Sequence, residues 1–182
     1  MNRLHAALPT IAKKHVWDVK YAFLGYPRFV APDDVLRYLS AEVTAHSSLL
    51  DLGCGRGSLL RALRTKGWTG CYCGVDISRK AISEAIGMQD QRSSWIVSDF
   101  ESFRSPFKWD IVAMVESICY INLSYLPIFL ENVLNMLNPS GMLLFRLHDI
   151  EKYREYIYGI SAAYPQAKQI DKNLFLLTLK PE

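Results

Sequence analysis

The sequence has no long apolar run, no paired cysteine motif, no internal repeat and no low-complexity linker. No hydrophobic stretch approaches the roughly 20 residues of a membrane-spanning helix, so no association with a membrane is expected. The four cysteines stand at positions 54, 71, 73 and 119 without a CxxC pair, which favours reduced thiols over a zinc site. The N-terminal stretch is interrupted by His5, Pro9 and two lysines, so it does not resemble a secretory signal. We therefore expect a cytoplasmic protein without a bound metal.

An excess of charge of one sign is also missing. The chain has 21 lysines and arginines against 18 aspartates and glutamates, a net charge of +3 at pH 7. This balance does not suggest a protein that coats nucleic acid, although it leaves room for a local basic patch. Nucleic acid is therefore not the expected partner.

The 182 residues, half of them hydrophobic, suffice for one domain with a substantial core. Strand-like and helix-like segments alternate along most of the chain, and several strands are continuously apolar, which indicates a parallel sheet covered on both faces. The expected class is a doubly wound α/β fold. Predicted strands are 46–53, 71–77, 93–99, 109–117, 142–147 and 173–180; predicted helices are 58–67, 78–87, the segment with apolar residues from Leu126 to Leu137, and 150–163.

Residues 1–45 are expected to form an N-terminal helical or lid segment packed on a core of residues 46–182. The segment is unusually rich in aromatic residues, and Trp17, Tyr21 and Tyr26 are its candidates for contact with a flat substrate. The alternative is a helix whose aromatic side chains only pack on the sheet.

The stretch LLDLGCGRGSLL places Gly53, Gly55 and Gly57 between the first predicted strand and the following helix. In a doubly wound sheet, ligands bind at such crossings, beyond the carboxyl ends of the strands. Glycines there permit a tight turn and let a ligand lie against bare backbone, while the helix start offers N–H groups. The simpler alternative is that these glycines serve only the turn.

Acidic residues also end the next two predicted strands. Asp76 lies where a carboxylate accepts hydrogen bonds from ribose hydroxyls, and Asp99 with Phe100 could meet an adenine amine and line its ring. The D-x-G-x-G-x-G spacing differs from the G-x-G-x-x-G of dinucleotide sites. With Asp51 close by, the pattern favours a nucleoside that carries positive charge rather than phosphates.

Five segments, LLDLGCGRGSLL, GVDIS, SDFES, FKWDIVAMVESICYI and VLNMLNPSGMLLFRL, resemble the successive motifs of class I S-adenosylmethionine-dependent methyltransferases. The resemblance covers roughly residues 47–147. It implies a Rossmann-like sheet of seven strands, mostly parallel with the last strand antiparallel, S-adenosyl-L-methionine as cofactor and S-adenosyl-L-homocysteine as product. The cofactor-binding residues that it implies are Asp51, Gly53, Cys54, Gly55, Gly57, Asp76, Ile77, Asp99, Phe100 and Glu116.

Two residues at strand ends are candidates for a general base, which is needed when the methyl acceptor must lose a proton. His148 follows the fifth strand with Asp149 beside it, and Glu116 ends the fourth. Each has another interpretation. His148 could cap or pack on the last helix with Asp149 as its N-cap, and Glu116 could serve the cofactor side.

The acceptor is expected to be a small molecule, methylated on an O, N or S atom. The segment ESICY replaces the Asn-Pro-Pro-Tyr type signature of family members that methylate amides or adenine. Rival hypotheses are a catalytically silent partner subunit that binds the cofactor, an RNA methyltransferase, and, least favoured by the glycine spacing, a nicotinamide-dependent oxidoreductase. A homodimer is left open.

Overall fold

The structure is a computed structural model that describes residues 8–23, 30–43 and 47–179. These residues build one sheet of seven strands in the order β3-β2-β1-β4-β5-β7-β6. Strand β7 runs antiparallel to β5 and β6, and the other pairs are parallel. The predicted doubly wound sheet with an antiparallel last strand is thus confirmed. The strands are β1 Ser48–Leu52, β2 Cys71–Asp76, β3 Ser93–Val97, β4 Trp109–Val115, β5 Leu137–Arg146, β6 Lys168–Asp171 and β7 Leu174–Thr178.

Six α-helices flank the sheet within the described part of the chain. They are α1 Thr10–Phe23, α2 Asp33–Glu42, α3 Ser58–Thr65, α4 Arg79–Ala85, α5 Leu126–Leu134 and α6 Arg154–Ala163. Local signals explain several ends. The Ser78 hydroxyl accepts a hydrogen bond from the Ala81 N–H and caps α4, Pro127 lies in the first turn of α5, and Gly67 follows α3 with a φ of 85°.

Most strand and helix ends differ from the sequence prediction by one or a few residues, and the larger differences have a physical reason. Helix α5 ends at Leu134. Leu137 has the helical spacing of the earlier leucines, but it begins β5 because its backbone pairs with Trp109 of β4. Helix α6 begins at Arg154 rather than near Ile150, after a turn. The segment-by-segment prediction also missed β6, a short edge strand with little apolar pattern.

Two apolar layers cover the two faces of the sheet. Alternation along β1 sends Leu50 to the layer under α5 and α6, and Leu49 to the layer under α2 and α3. Phe129 of α5 and Leu39 of α2 are buried in these layers. Because these side chains pack against both faces of the sheet, the positions of the strand ends are fixed. None of the described helices is long and apolar enough to cross a membrane.

Adjacent residues of α5 provide a test of this packing. Phe129 is 1% exposed and its neighbour Ile128 is 53% exposed. We expect Phe129→Ala to lower the free energy of unfolding by about 3–5 kcal/mol, since it leaves a cavity. Ile128→Ala, the matched control, should cost less than about 1 kcal/mol. Urea denaturation of both variants measures the difference, and equal losses would contradict the assigned orientation of α5.

Candidate active site

The carboxyl ends of β1, β2 and β4 and the segment after β3 surround a cavity of about 840 Å³. Strands β1 and β4 lie side by side, although β2 and β3 separate them in the sequence. This is the place where the chain changes direction across the sheet and where open α/β folds bind ligands. The predicted residues that line the cavity are Trp17, Tyr21, Asp51, Gly53, Cys54, Gly55, Asp76, Ile77, Asp99, Phe100 and Glu116. Gly57 and His148 are not among the lining residues, and Tyr26 lies outside the described residues.

The glycine turn after β1 has no room for larger side chains. Gly53 has a φ of 88°, and a Cβ there would lie 2.4 Å from Cβ of Ser117. Gly57 has a φ of 74°, and its Cβ would lie 2.4 Å from the Trp95 ring. Both positions therefore require glycine on grounds of conformation and space. Gly53 faces the end of β4, whereas Gly57 permits packing against β3.

Two carboxylates are buried beneath this turn. The Asp76 side chain accepts hydrogen bonds from the N–H groups of Gly55 (2.8 Å) and Ser78 (2.9 Å). The Asp51 carboxylate accepts one from the Tyr72 hydroxyl at 2.7 Å. Burial raises the pKa of Asp51 to about 7 and that of Asp76 to about 6, against the opposing effect of these hydrogen bonds. A cationic ligand would favour the ionised form of both groups.

Cys54 lies within the turn but lacks the character of a nucleophile. Its side chain is buried, and burial followed by the neighbouring carboxylates Asp76 and Asp51 raises the pKa of its thiol. The reactive form of a cysteine is the thiolate, which is disfavoured here. Cys54 therefore contributes shape to the cavity.

The segment after β3 brings Asp99 and Phe100 to the cavity. Asp99 is buried and accepts hydrogen bonds from the Thr10 hydroxyl (2.9 Å) and the Glu101 N–H (3.1 Å). The Phe100 ring meets Phe129 edge to face, with 6.1 Å between centroids. The carboxylate is thereby presented beside an apolar ring, as the sequence resemblance implied for an adenine.

Helix α1 lies across the cavity and contacts several of its loops. Asp18 accepts hydrogen bonds from the Ser78 hydroxyl (2.7 Å) and the Lys80 N–H (3.2 Å), next to the end of β2. The Trp17 ring meets Tyr120 edge to face at 5.0 Å. Tyr21 stands over the turn, since a Cβ on Gly55 would be 2.9 Å from its hydroxyl oxygen. The helix has no buried residue, so polar and aromatic contacts fasten it.

At the end of β4, Glu116 has a φ of 61°, a left-handed conformation that glutamate rarely adopts. Its carboxylate pairs with Arg146, and it accepts hydrogen bonds from both the backbone N–H and the ring Nδ1 of His148, each at 2.7 Å. Asp149 instead accepts from the Lys152 N–H at 3.0 Å and stabilises the turn before α6. The carboxylate hydrogen-bonded to His148 is therefore that of Glu116, and Asp149 is not the N-cap of α6.

The sequence reasoning missed several residues of this region, chiefly Arg146, Asp34, Tyr120 and Thr10. One signal was available for Arg146. It is the single charge within the apolar run MLLFRL, at the carboxyl end of a central strand. An arginine in that place is expected to have an acidic partner. Within residues 8–23, 30–43 and 47–179, no group of three or more His, Cys, Asp or Glu residues is arranged to hold a metal ion.

A family model described as a methyltransferase domain matches residues 25–172. The chain belongs to this methyltransferase-domain family, as its motifs and its sheet had indicated. Nodulation protein S of Rhizobium tropici is 27% identical over 122 residues, which cover 57% of this chain and 50% of that protein. The chain thus spans half the length of that curated relative.

Solved structures show the same fold. A chain in the complex between the Haloferax volcanii Trm112 methyltransferase activator and a methyltransferase matches with a TM-score of 0.69 and 21% identity, over 91% of this chain and 80% of its own length. The N-methyltransferase NodS from Bradyrhizobium japonicum WM9 matches with a TM-score of 0.62 and 19% identity, over 79% and 90%. At these identities the likeness concerns the fold alone.

The raised pKa of Asp51 predicts how stability depends on pH without ligand. Because the folded state holds this proton more tightly than the unfolded chain, its stability falls as pH rises from about 4 to about 7 and then levels off. Asp51→Asn should remove the part of this slope that Asp51 contributes, up to about 4 kcal/mol, and leave the smaller part due to Asp76, while Asn keeps an oxygen for Tyr72. The exposed Asp33→Asn is the control. Urea denaturation between pH 4.5 and 8 measures the effect, and parallel curves for wild type and Asp51→Asn would contradict the prediction.

Proposed function

We propose that this chain transfers the methyl group of S-adenosylmethionine to an N, O or S atom of a small molecule. One observation carries the proposal: the glycine turn, the carboxylates of Asp76 and Asp99 and an aromatic helix all face a single cavity. Gly53, Cys54 and Gly55 of the turn line this cavity, and the two glycines leave backbone without side-chain cover facing it. The buried acids suit a nucleoside with positive charge rather than a phosphate.

Each part of the cofactor has a proposed set of residues. Asp76 would accept hydrogen bonds from the ribose hydroxyls, with Ile77 beside it. Asp99 would accept from the adenine amine, and Phe100 would line the ring. The methionine portion would lie against Gly53, Cys54 and Gly55, within reach of the Asp51 charge. These assignments agree with the lining of the cavity.

S-adenosylmethionine supplies a methyl carbon already activated by a sulfonium, so the protein mainly has to align the acceptor with that carbon. Helix α1 is proposed as the part of the lid segment that performs this alignment, with Trp17 and Tyr21 against the acceptor. Both aromatic side chains line the cavity, and they would also keep water out of it. Residues 1–45 are proposed as the whole lid segment, on the core of residues 46–182.

Nitrogen is the favoured acceptor atom. NodS from Bradyrhizobium japonicum WM9 is an N-methyltransferase, and nodulation protein S of Rhizobium tropici is similar to this chain in sequence. On the acceptor side, Trp17 and Tyr120 present aromatic rings to the cavity. Aromatic faces attract an ammonium group. We therefore infer a small amine as the first acceptor class to examine.

Asp76 offers a direct test of the cofactor site. We expect Asp76→Asn to weaken binding of S-adenosylmethionine and S-adenosylhomocysteine roughly 10- to 100-fold, since it removes a charged hydrogen-bond acceptor. Asp90→Asn is the matched control, because Asp90 pairs with Arg64 outside the cavity. Titration calorimetry, with NAD as a ligand expected not to bind, measures the affinities. Equal affinity in wild type and Asp76→Asn would exclude this residue from the site.

The acceptor class requires a separate experiment. Purified protein is incubated with methyl-labelled S-adenosylmethionine and panels of small amines, phenols, thiols and RNA, at two salt concentrations. We expect transfer to a small amine with little dependence on salt. Transfer to RNA that falls steeply with salt would support the RNA methyltransferase alternative instead.

A dependence on a partner is a second hypothesis. It is suggested by the matching chain solved in complex with a methyltransferase activator. Tight cofactor binding without transfer to any panel member, followed by transfer when a Trm112-type activator is added, would support it. Continued absence of transfer would favour the silent-subunit alternative.

A further inference from the structure

Four side chains from separate places in the sequence form one continuous network at the acceptor side of the cavity. They are Asp34 in the first turn of α2, Glu116 after β4, Arg146 at the end of β5, and His148. We call this set the Arg146 network. Glu116 belongs to the cavity lining, and the other three stand behind it.

Arg146 is the centre of the network. Its Nε donates to both carboxylate oxygens of Asp34, at 3.0 and 2.8 Å, and its Nη1 donates to Glu116 Oε1. Burial opposes the charge of Arg146, but the hydrogen bonds and charges of Asp34 and Glu116 outweigh it and raise the pKa of the guanidinium. The side chains of all three residues are 16% exposed. Arg146 is therefore a fixed cation between two carboxylates.

The network holds Glu116 in a conformation that its backbone disfavours. A φ near 60° is unfavourable for a residue other than glycine, and it persists only where surrounding contacts fix it. Here Arg146 and the backbone N–H of His148 bind the two oxygens of the side chain. The Glu116 N–H donates in turn to the Arg146 carbonyl at 3.1 Å.

This arrangement determines the tautomer of His148. A carboxylate that pairs with a guanidinium can only accept hydrogen bonds, so Nδ1, 2.7 Å from Oε2, must be the donor. When the ring is neutral, its lone pair then lies on Nε2. The ring is packed edge to face on Tyr153 at 5.3 Å, which limits its rotation, and its side chain is 51% exposed.

We propose that Arg146, locked by Asp34, is a positioning residue that holds the Glu116 carboxylate at the cavity and through Glu116 fixes His148 as the Nδ1–H tautomer. The inference rests on the proposed function, because it concerns an acceptor that must lose a proton. The acceptor atom gives its electron pair to the methyl carbon, and the pair of the broken carbon–sulfur bond stays on the sulfur. The acceptor's proton, bound until then to the same atom, passes to the Glu116 carboxylate, the member of the network that lines the cavity.

The charged and titratable groups that face or adjoin the His148 ring come from three places. Glu116 lies on the β4 side with Arg146 behind it, Tyr153 lies beneath the ring, and Asp149 adjoins it in the chain. Lys152 stacks over the Tyr153 ring at 5.2 Å. Of these groups, Glu116 is the one within hydrogen-bond distance of the ring in the described part of the chain.

The tautomer can be measured without knowing the acceptor. Long-range ¹H–¹⁵N spectra of ¹⁵N-histidine-labelled protein, recorded at a pH where the ring is neutral, distinguish Nδ1–H from Nε2–H. We expect Nδ1–H in the wild type, conversion mainly to Nε2–H in Arg146→Met, and retention of Nδ1–H in Arg146→Lys. Arg37→Met removes a cation from the exposed pair of Arg37 with Asp171 and serves as the control. Asp34→Asn, a near-isosteric change, is measured as well in case Arg146→Met does not fold, and it should also shift the ring toward Nε2–H.

Nε2–H in the wild type, or the same tautomer in wild type, Arg146→Met and Asp34→Asn, would overturn the proposal. Where the amine panel yields an acceptor, Arg146→Met should lower kcat by roughly 100-fold and change the KM for S-adenosylmethionine less than about 2-fold, with partial rescue in Arg146→Lys. An unchanged kcat would also overturn it. The spectra need no acceptor, so the tautomer can be determined even if no compound of the panel is methylated. That outcome would count only against the proposed function.

Discussion

The close approach of the Gly53 backbone to the end of β4 is the constraint on which the site depends. A side chain at Gly53 would overlap Ser117, whose hydroxyl donates to the Leu52 carbonyl at 2.6 Å. This contact brings the segments after β1 and β4 together without an intervening side chain. The carboxylates of Asp51 and Asp76 are enclosed beneath the same turn. The shape of the cavity and the position of its carboxylates therefore both depend on the absence of a side chain at Gly53.

Much of the fold and of the cavity lining follows from local sequence signals. Continuous apolar strands, the glycine turn and the acids at strand ends each lie within a few neighbouring residues, so Asp76 and Asp99 could be named in advance. Their surroundings could not be. Whether Asp51 is paired with Tyr72, or Asp99 with Thr10, depends on parts of the chain that only the fold brings together.

The acceptor side was less predictable for a related reason. His148 and Glu116 could be singled out by residue type and position, but their link could not, because it runs through Arg146 to Asp34, 112 residues earlier. Sequence adjacency suggested Asp149 as the companion of His148, whereas the fold supplies Glu116. Leu137 shows the same principle in the core, since its pairing with Trp109 overrides the helical spacing of the leucines before it.

Helix α1 lines the cavity without contributing to the hydrophobic core, whereas in many sites the same residues serve both the site and the core. None of its residues is buried, and its contacts run to loops at the strand ends rather than into the apolar layers. Substitutions at Trp17 or Tyr21 therefore leave the hydrophobic core intact, and new shapes of the cavity can be sampled at small cost in folding free energy. The cavity beside α1 can therefore change its shape while the sheet and the glycine turn beneath it keep their stability.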